Sequence, residues 1–320
     1  MMDVVALEEL LIDFACMETD ETGYPVMATH SDGAPANFLA AINKFGGKTA
    51  LIAKVGDDTF GNLITATLRD AAIDTRGIVH ADDVFTTLAF VTFNKEHDRQ
   101  FSFSRKPGAD TCLHKEEIDA SLIDRAKVFR FGTLSLTDEP ARSATRYAVA
   151  YAKQQGKLIS FDPNFKKPLW HCLDDAKEQM LWGLGQADIV KISDEEVAFL
   201  FGDGNPISQA KMLLAKYPAK LVYVTLGKHG CAFANAKASG MMSAYNEEVV
   251  VKDTTGADDI FGGSAMWAFL QSGKVPDELS EEELRHIVWF ATVSAGLSTT
   301  KAGGVSSVPT FAEVQERMKR

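Results

Sequence analysis

Short unbroken apolar runs recur along most of the chain, separated by longer stretches in which apolar residues return every three or four positions. Ala50 to Val55, Val128 to Gly132, Leu158 to Asp162, Ile189 to Ile192, Leu221 to Leu226 and Cys231 to Ala234 are too short for helices and predict buried strands. The first clear helix begins with Pro35 at a favoured first helical position. Phe38, Ala41, Ile42 and Phe45 follow at helical spacing, and Gly46 and Gly47 stop it. Similar periodicity predicts helices over Gly61 to Ala72, Glu139 to Gln154, Asp194 to Phe201, Gln209 to Lys216 and Glu281 to Thr299. Strands alternating with helices specify an α/β fold with a mostly parallel central sheet covered on both faces.

Thr87 to Ser104 follows a different rule. Phe101 and Phe103 alternate with Gln100, Ser102 and Ser104, and the polar stretch Asn94 to Asp98 interrupts the run, so the period of two predicts a hairpin. A two-stranded ribbon is marginal alone and must pair or pack, with Leu10 to Phe14 and Pro25 to Thr29 as extended partners. Residues 1–320 therefore read as one α/β domain with a small β appendage from segments near 10–30 and 86–105. No internal repeat or linker divides them.

Composition acts mainly by exclusion. With 46% of 320 residues hydrophobic, the chain holds enough apolar material for a sizeable core, which excludes disorder as the dominant state. Lys and Arg number 33 against 44 Asp and Glu, a formal net charge of -11, so no broad basic face neutralises nucleic acid or an anionic membrane. Any phosphate must be held at a local site. The cysteines at 16, 112, 172 and 231 stand too far apart for a CxxC pair and fit a reducing cytoplasm. Glu8, Glu9 and Asp13 follow Met1 too soon for a signal peptide, and no apolar stretch reaches the ~18 residues of a membrane span. The histidines form no HExxH-type pair, which argues against a transition-metal centre.

The segment with the most chemistry is Asp253-Thr254-Thr255-Gly256-Ala257-Asp258-Asp259-Ile260-Phe261-Gly262-Gly263. Small residues in a tight turn expose backbone amides, and Ile260, Phe261, Trp267 and Leu270 predict a helix from about Asp259. Unpaired amides and the positive end of a helix dipole then meet in an anion cradle. A carboxylate beside that cradle can take the proton from an alcohol attacking a bound phosphate. On this pattern alone, Asp258 and Asp259 fit helix capping equally well. Gly47-Lys48-Thr49 mimics the end of a P-loop, but the glycine required five positions before Gly47 is Ile42, and a helix precedes the triplet where a strand is needed.

The Asp253 to Gly263 segment resembles the second signature of the ribokinase-like (PfkB) carbohydrate kinases, usually DTTGAGD followed by an aromatic residue and glycines. Ser31-Asp32-Gly33-Ala34-Pro35-Ala36-Asn37, with Gly46-Gly47 and Val55-Gly56-Asp57-Asp58-Thr59-Phe60-Gly61, resembles the first. Leu11 to Phe14, Arg105 to Asp110, Asp162-Pro163-Asn164, Lys191 to Glu196 and Thr225 to Gly230 are similar in particular to bacterial fructokinases, in the same order. The resemblance implies a three-layer α/β/α ribokinase-like fold in which the β appendage is a lid, and an ATP- and Mg-dependent sugar kinase, with fructose favoured. It implies that Asp259 is the catalytic base and that Gly256 and Ala257 supply part of the anion hole. Asp13, Gly33, Asn37 and Arg105 match the sugar site or its lid, while Lys191, Thr225, Gly227, Gly230 and Gly256 match the nucleotide side. Glu196 matches the acid that organises Mg through water, and Asp253 a position near a monovalent cation, K+ in some members. Read without the family, Asp13 would simply end a strand, Arg105 would be a surface charge, and Glu196 would serve the dipole of its helix.

Three acids, Glu8, Asp32 and Asp258, stand where the family pattern has glycine, and Lys166 stands where related sugar kinases often have arginine. A side chain at 258 would disfavour a positive φ and set a negative charge near the phosphate. Two like charges ~4 Å apart cost ~4 kcal/mol at an effective dielectric of 20. The expected activity is therefore fructose phosphorylation impaired by Asp258 and Asp32. The alternatives are a catalytically weak sugar- or nucleotide-binding regulatory protein, or a nucleoside or aminoimidazole-riboside kinase. Pairing of two lids in a homodimer would cover the apolar face of the appendage.

Overall fold

The computed structural model describes residues 1–30, 33–93, 99–245 and 249–319. Asp32 and the expected turn from Asn94 to Asp98 lie outside the described residues, as does the side chain of Phe101. The chain opens with β1 (Met2–Leu7), β2 (Leu11–Thr19), β3 (Pro25–His30), α1 (Ala34–Lys44), β4 (Thr49–Gly56), α2 (Thr59–Asp70) and β5 (Asp74–Ala81). It continues through β6 (Thr87–Phe93), β7 (Arg99–Ser104), α3 (Ala120–Asp124), β8 (Ala126–Phe131), α4 (Ala141–Gln154), β9 (Leu158–Phe161) and α5 (Leu173–Leu184). Next come β10 (Ile189–Ser193), α6 (Asp194–Phe201), α7 (Pro206–Lys216), β11 (Leu221–Thr225), β12 (Cys231–Asn235) and β13 (Ser239–Met242). Three helices close the chain: α8 (Ala257–Gln271), α9 (Glu281–Ser298) and α10 (Phe311–Met318).

The large sheet has nine strands in the order β13-β12-β11-β10-β9-β8-β1-β4-β5, parallel throughout except for the antiparallel edge β11-β12-β13. Alternate residues of each strand feed opposite faces. Val4, Ala6, Leu51 and Val128 pack under α1, α2, α8, α9 and α10, whereas Val5, Leu7, Ile52 and Phe129 pack under the helices α3 to α7. Burial on both faces explains why these strands read as continuous apolar runs. The order reverses at β1, whose neighbours β4 and β8 carry the chain to opposite sides of the sheet. In parallel sheets the carboxyl ends of the strands at such a reversal form a crevice.

The predicted hairpin is β6-β7, and both predicted partners join it in a second sheet of order β3-β2-β6-β7. Phe103 is half-buried there. Asp13 sits inside β2, in register with His30 and Ala89, so it does not end a strand. Gly46 ends α1 with φ 93, as the Gly-Gly pair predicted. The P-loop mimic lies at the start of β4, where the Lys48 amide donates to Asp3 at 2.9 Å.

Candidate active site

Four adjacent strands present charge at their carboxyl ends. Across β10, β9, β8 and β1 these residues are Lys191, Asp162, Arg130 and Glu8, which alternate in sign. Lys191 Nζ donates to Asp162 Oδ2 at 2.9 Å, and Arg130 Nη2 donates to the same oxygen at 3.0 Å. Arg130 Nη1 donates to Glu8 Oε1, and Lys191 Nζ also donates to Asp258 Oδ2 at the start of α8. The Arg130 guanidinium lies 4.1 Å from the centre of the Phe38 ring on α1. Burial disfavours the charge on Lys191, but Asp162 and Asp258 outweigh it and hold the ammonium well above its ordinary range. Burial likewise opposes ionisation of Asp162, whereas Lys191 and Arg130 pull that carboxyl below its usual value.

Helix α8 begins at Ala257, two positions before the expected Asp259, because Gly256 adopts φ 72 as its N-cap. The left-handed position is thus Gly256, and Asp258 sits in the first helical turn, where its Cβ meets no such restriction. Gly256 provides no side-chain cap, so neither acid serves in that role. Asn37 Nδ2 donates to Asp259 Oδ2 at 3.2 Å. A Cβ on Gly256 would stand 2.6 Å from Asn37 Nδ2, and one on Gly304 2.1 Å from Asn37 Oδ1, so both glycines are required by the approach of two loops to this amide. Burial raises the Asp259 carboxyl to about 6; Lys191 and Arg130 oppose the rise, while Asp258 and Asp162 add to it. Burial also raises Glu8, to about 7, against the pull of Arg130. The result is a buried carboxylate of raised basicity beside a helix N-terminus, where the Ala257 amide already donates to the Thr254 carbonyl at 3.3 Å.

Asp253 Oδ1 accepts from the Thr255 amide and hydroxyl, and Oδ2 from the Gly303 amide at 2.9 Å, which ties the turn before α8 to the loop at 303–304. These bonds outweigh burial and lower the carboxyl. Glu196 caps its own helix and also accepts from the Phe165 amide at 2.7 Å, so both of its oxygens are engaged by backbone donors. Burial and the nearby Asp162 nevertheless raise it. A cavity of about 360 Å³ between these residues is lined by Asp162, Phe165, Lys166, Glu195, Glu196 and Asp258. Thr225 ends β11, followed by a turn at Gly227–His229. Gly230 has φ 106, and a Cβ there would come within 2.0 Å of the Met242 carbonyl oxygen. Gly33 is the N-cap of α1 at an ordinary φ of -91.

Arg105 is no surface charge. Its side chain is 4% exposed, and it donates to Asp110 Oδ2 through Nε and Nη2 at 2.8 and 2.6 Å, to Thr137 Oγ1 at 2.8 Å and to the Leu134 carbonyl at 2.9 Å. The acids Asp258 and Asp259, the amide of Asn37 and the lysine Lys191 are brought together around α8. Thr225, Gly227 and Gly230 lie on the neighbouring strand end, and Arg105 fastens the base of the small sheet. Sequence reasoning missed Arg130, although a charged residue inside the apolar run Val128 to Gly132 was a usable signal. A larger cavity of about 620 Å³ lies between β3, α1 and α2 and contains none of the expected site residues.

The family described as pfkB family carbohydrate kinase matches residues 1–311. A protein named probable fructokinase-2 from Arabidopsis thaliana is 37% identical over 321 residues, covering 99% of this chain and 95% of its own. The crystal structure of fructokinase with bound ATP from Xylella fastidiosa superposes with a TM-score of 0.88 at 26% identity, covering 99% of this chain and 98% of its own. Fructokinase from Vibrio cholerae O395 in its fructose, ADP and calcium ion bound form gives 0.82 at 28% identity, with 98% of each chain covered.

Proposed function

The chain belongs to the pfkB family of carbohydrate kinases, and from that premise we propose that it is an ATP-dependent fructokinase in which Asp259 is the general base. The observation that carries this reading is the buried Asp259 carboxyl, raised to about 6 and held by Asn37 at the N-terminus of α8. Asp259 takes the proton of the sugar's primary hydroxyl as that oxygen attacks the γ-phosphorus in line, and the bond to the leaving ADP oxygen breaks. Gly256, Ala257 and the first turn of α8 direct amides and a dipole at the negative charge that develops. Asp13, Gly33, Asn37 and Arg105 belong to the sugar side, and the small sheet is the lid that excludes water from the transfer. Thr225, Gly227 and Gly230 form the nucleotide-side loop.

Among the described residues no group of three acidic, histidine or cysteine side chains gathers to chelate a metal. Glu196, which lines the cavity and whose oxygens accept the Phe165 and Ser193 amides, would hold an Mg ion through water. Bound Mg supplies charge neutralisation on the phosphates. Asp253 and the loop it ties at 303–304 would stand beside a monovalent cation, K+ in this proposal. Lys191 is shared by Asp162 and Asp258, so its role toward the nucleotide is to neutralise the acid that faces the cavity. That pairing weakens the case for a merely binding, inactive protein.

The exposed apolar residues Met17 and Val26 on the small sheet, with Tyr24 in the turn between β2 and β3, favour a homodimer joined through two lids. Equilibrium sedimentation should give twice the chain mass. The four free cysteines agree with a cytoplasmic location, and among the described residues no helix is long and apolar enough to cross a membrane. A coupled ADP-release assay over ketoses, aldoses and nucleosides should give the highest kcat/KM with fructose. ADP release that no sugar raises above the water background would refute the proposal.

A further inference from the structure

Arg130 is 1% exposed, and a buried guanidinium must be satisfied by carboxylates at close range. Three of them act on it. Glu8 and Asp162 accept its two terminal nitrogens, and Asp259 is close enough that the charge of each is felt by the other. Asp162 has a second cation in Lys191, and Asp258 shares that lysine, but among the described residues Glu8 has no hydrogen-bonded cation except Arg130. Glu8 is therefore dedicated to Arg130. Remove its charge and one end of the guanidinium loses its anion, with Asp259 as the remaining carboxylate in its field.

We infer that Glu8 is a positioning residue for phosphoryl transfer: by occupying Arg130 it keeps this cation from pairing with Asp259, which stays hydrogen-bonded to Asn37 and open to the sugar hydroxyl. The inference rests on the reading of Asp259 as the base. The groups that face Asp259 are Lys191 on β10, Asp162 after β9, Arg130 on β8, Glu8 after β1, Asp258 on α8 and the Asn37 amide on α1. Glu8 is itself faced by Arg130, Asp162 and Asp259, and Glu9 stands next to it, with Asp110 and Arg105 beyond. Four carboxylates thus surround two cations, and the distribution of those cations decides how basic Asp259 is. A cation at hydrogen-bond range lowers a carboxyl and makes it a poorer proton acceptor at neutral pH.

The test compares Glu8→Gln, Arg130→Met and the double variant with the parent, reading kcat, KM and the pH profile of kcat/KM together with thermal midpoints. Glu8→Gln should lower kcat by about tenfold with KM for ATP changed less than about threefold, and should move the acidic limb down by about one pH unit. Arg130→Met should move that limb upward, because the cation is gone. The double variant should regain most of the parent kcat. Opposite displacements from the two single variants are the signature, and either one that folds tests its own direction. If Glu8→Gln lowers only the thermal midpoint, with the limb and kcat unmoved, or if removing Arg130 fails to rescue it, the inference is overturned. Full activity of Asp259→Asn would instead remove the base assignment itself, which the Glu8 and Arg130 displacements alone do not address.

Discussion

Two buried arginines anchor two different kinds of charge cluster. Arg105, at the base of the small sheet, meets Asp110 through Nε and Nη2, donates from Nη1 to Thr137 and from Nη2 also to the Leu134 carbonyl, while Asp110 also accepts from Thr87 at 2.5 Å. Asp138, partly exposed, stands 3.8 Å from the same guanidinium. The hydrogen-bonded pair itself is balanced, one guanidinium to the one buried carboxylate Asp110, since Asp138 is partly open to solvent and burial holds the nearby Glu9 carboxyl well above its ordinary range, and the donors of the guanidinium are widely shared. Arg130, at the strand ends, belongs to a group with two cations and four carboxylates: Glu8, Asp162, Asp258 and Asp259. A balanced cluster fixes a joint. An unbalanced one leaves a carboxyl without a hydrogen-bonded cation of its own, Asp259, and burial raises it to about 6, as it raises the arginine-bound Glu8 to about 7.

The largest expected effect breaks the unbalanced cluster at Asp259, the proposed base. Asp259→Asn retains shape and the neighbouring backbone but cannot accept a proton, so kcat should fall by ~100-fold or more while ATP binding stays within a few-fold. Steady-state kinetics and nucleotide titration measure the two separately, and unchanged turnover would remove Asp259 from the chemistry. The balanced cluster should respond in stability instead. Asp110→Ala leaves the buried Arg105 guanidinium without its main anion, a change that costs about 3–5 kcal/mol in comparable buried pairs. Denaturant unfolding should detect it. If the small sheet is the lid, KM for the sugar should rise in the same variant more than KM for ATP.

The two clusters also differ in how much of them could be read from sequence. Asp259, Asn37 and Gly256 were legible because the signatures containing them are local, even though the bond from Asn37 to Asp259 spans 222 positions. The Arg105 partner Asp110 lies only five positions away. Arg130 was legible only as a charge inside an apolar run, and its partners were not, since Glu8 is 122 positions away and Asp162 is 32, and only the order of β1, β8 and β9 in the sheet brings them together. The same reason hid the Lys191 pairing of Asp258, which had seemed an unrelieved charge next to the phosphate. At the level of fold, six buried strands were visible as apolar runs. β5 was missed because Arg76, Gly77 and His80 break its pattern at the sheet edge, and α5 because two acids follow its first residue, Leu173, and mask the start of its apolar stripe.

Asp258→Gly probes a member of the unbalanced cluster that already has its cation. Sequence alone suggested that glycine would restore activity by removing a charge and a strained φ. The strained position is Gly256 and the charge faces Lys191, so the replacement should change kcat by less than tenfold. It releases Lys191 to Asp162 and the cavity, which would shift the dependence on Mg concentration more than the turnover. An increase of a hundredfold at saturating Mg would mean that the lysine does not neutralise the acid.

The smallest expected effect is thermal, and its sign depends on pH. Burial raises the Asp259 carboxyl from 3.8 to about 6, so the folded state holds this proton where the unfolded state has released it. Stability from this group is then fully present below about pH 4 and is lost as pH rises through 6, because the folded protein must carry a buried charge that the unfolded chain solvates. Asparagine has no charge to carry. Asp259→Asn should therefore raise the thermal midpoint at pH 8 by about 2–6 °C and by about half as much at pH 5, where the folded carboxyl is mostly protonated but the unfolded one, at 3.8, is already ionised. Scanning calorimetry of parent and variant at the two pH values makes the comparison. A variant no more stable than the parent at pH 8 would show that Lys191 and Arg130 already neutralise Asp259, and that the unbalanced cluster is balanced after all.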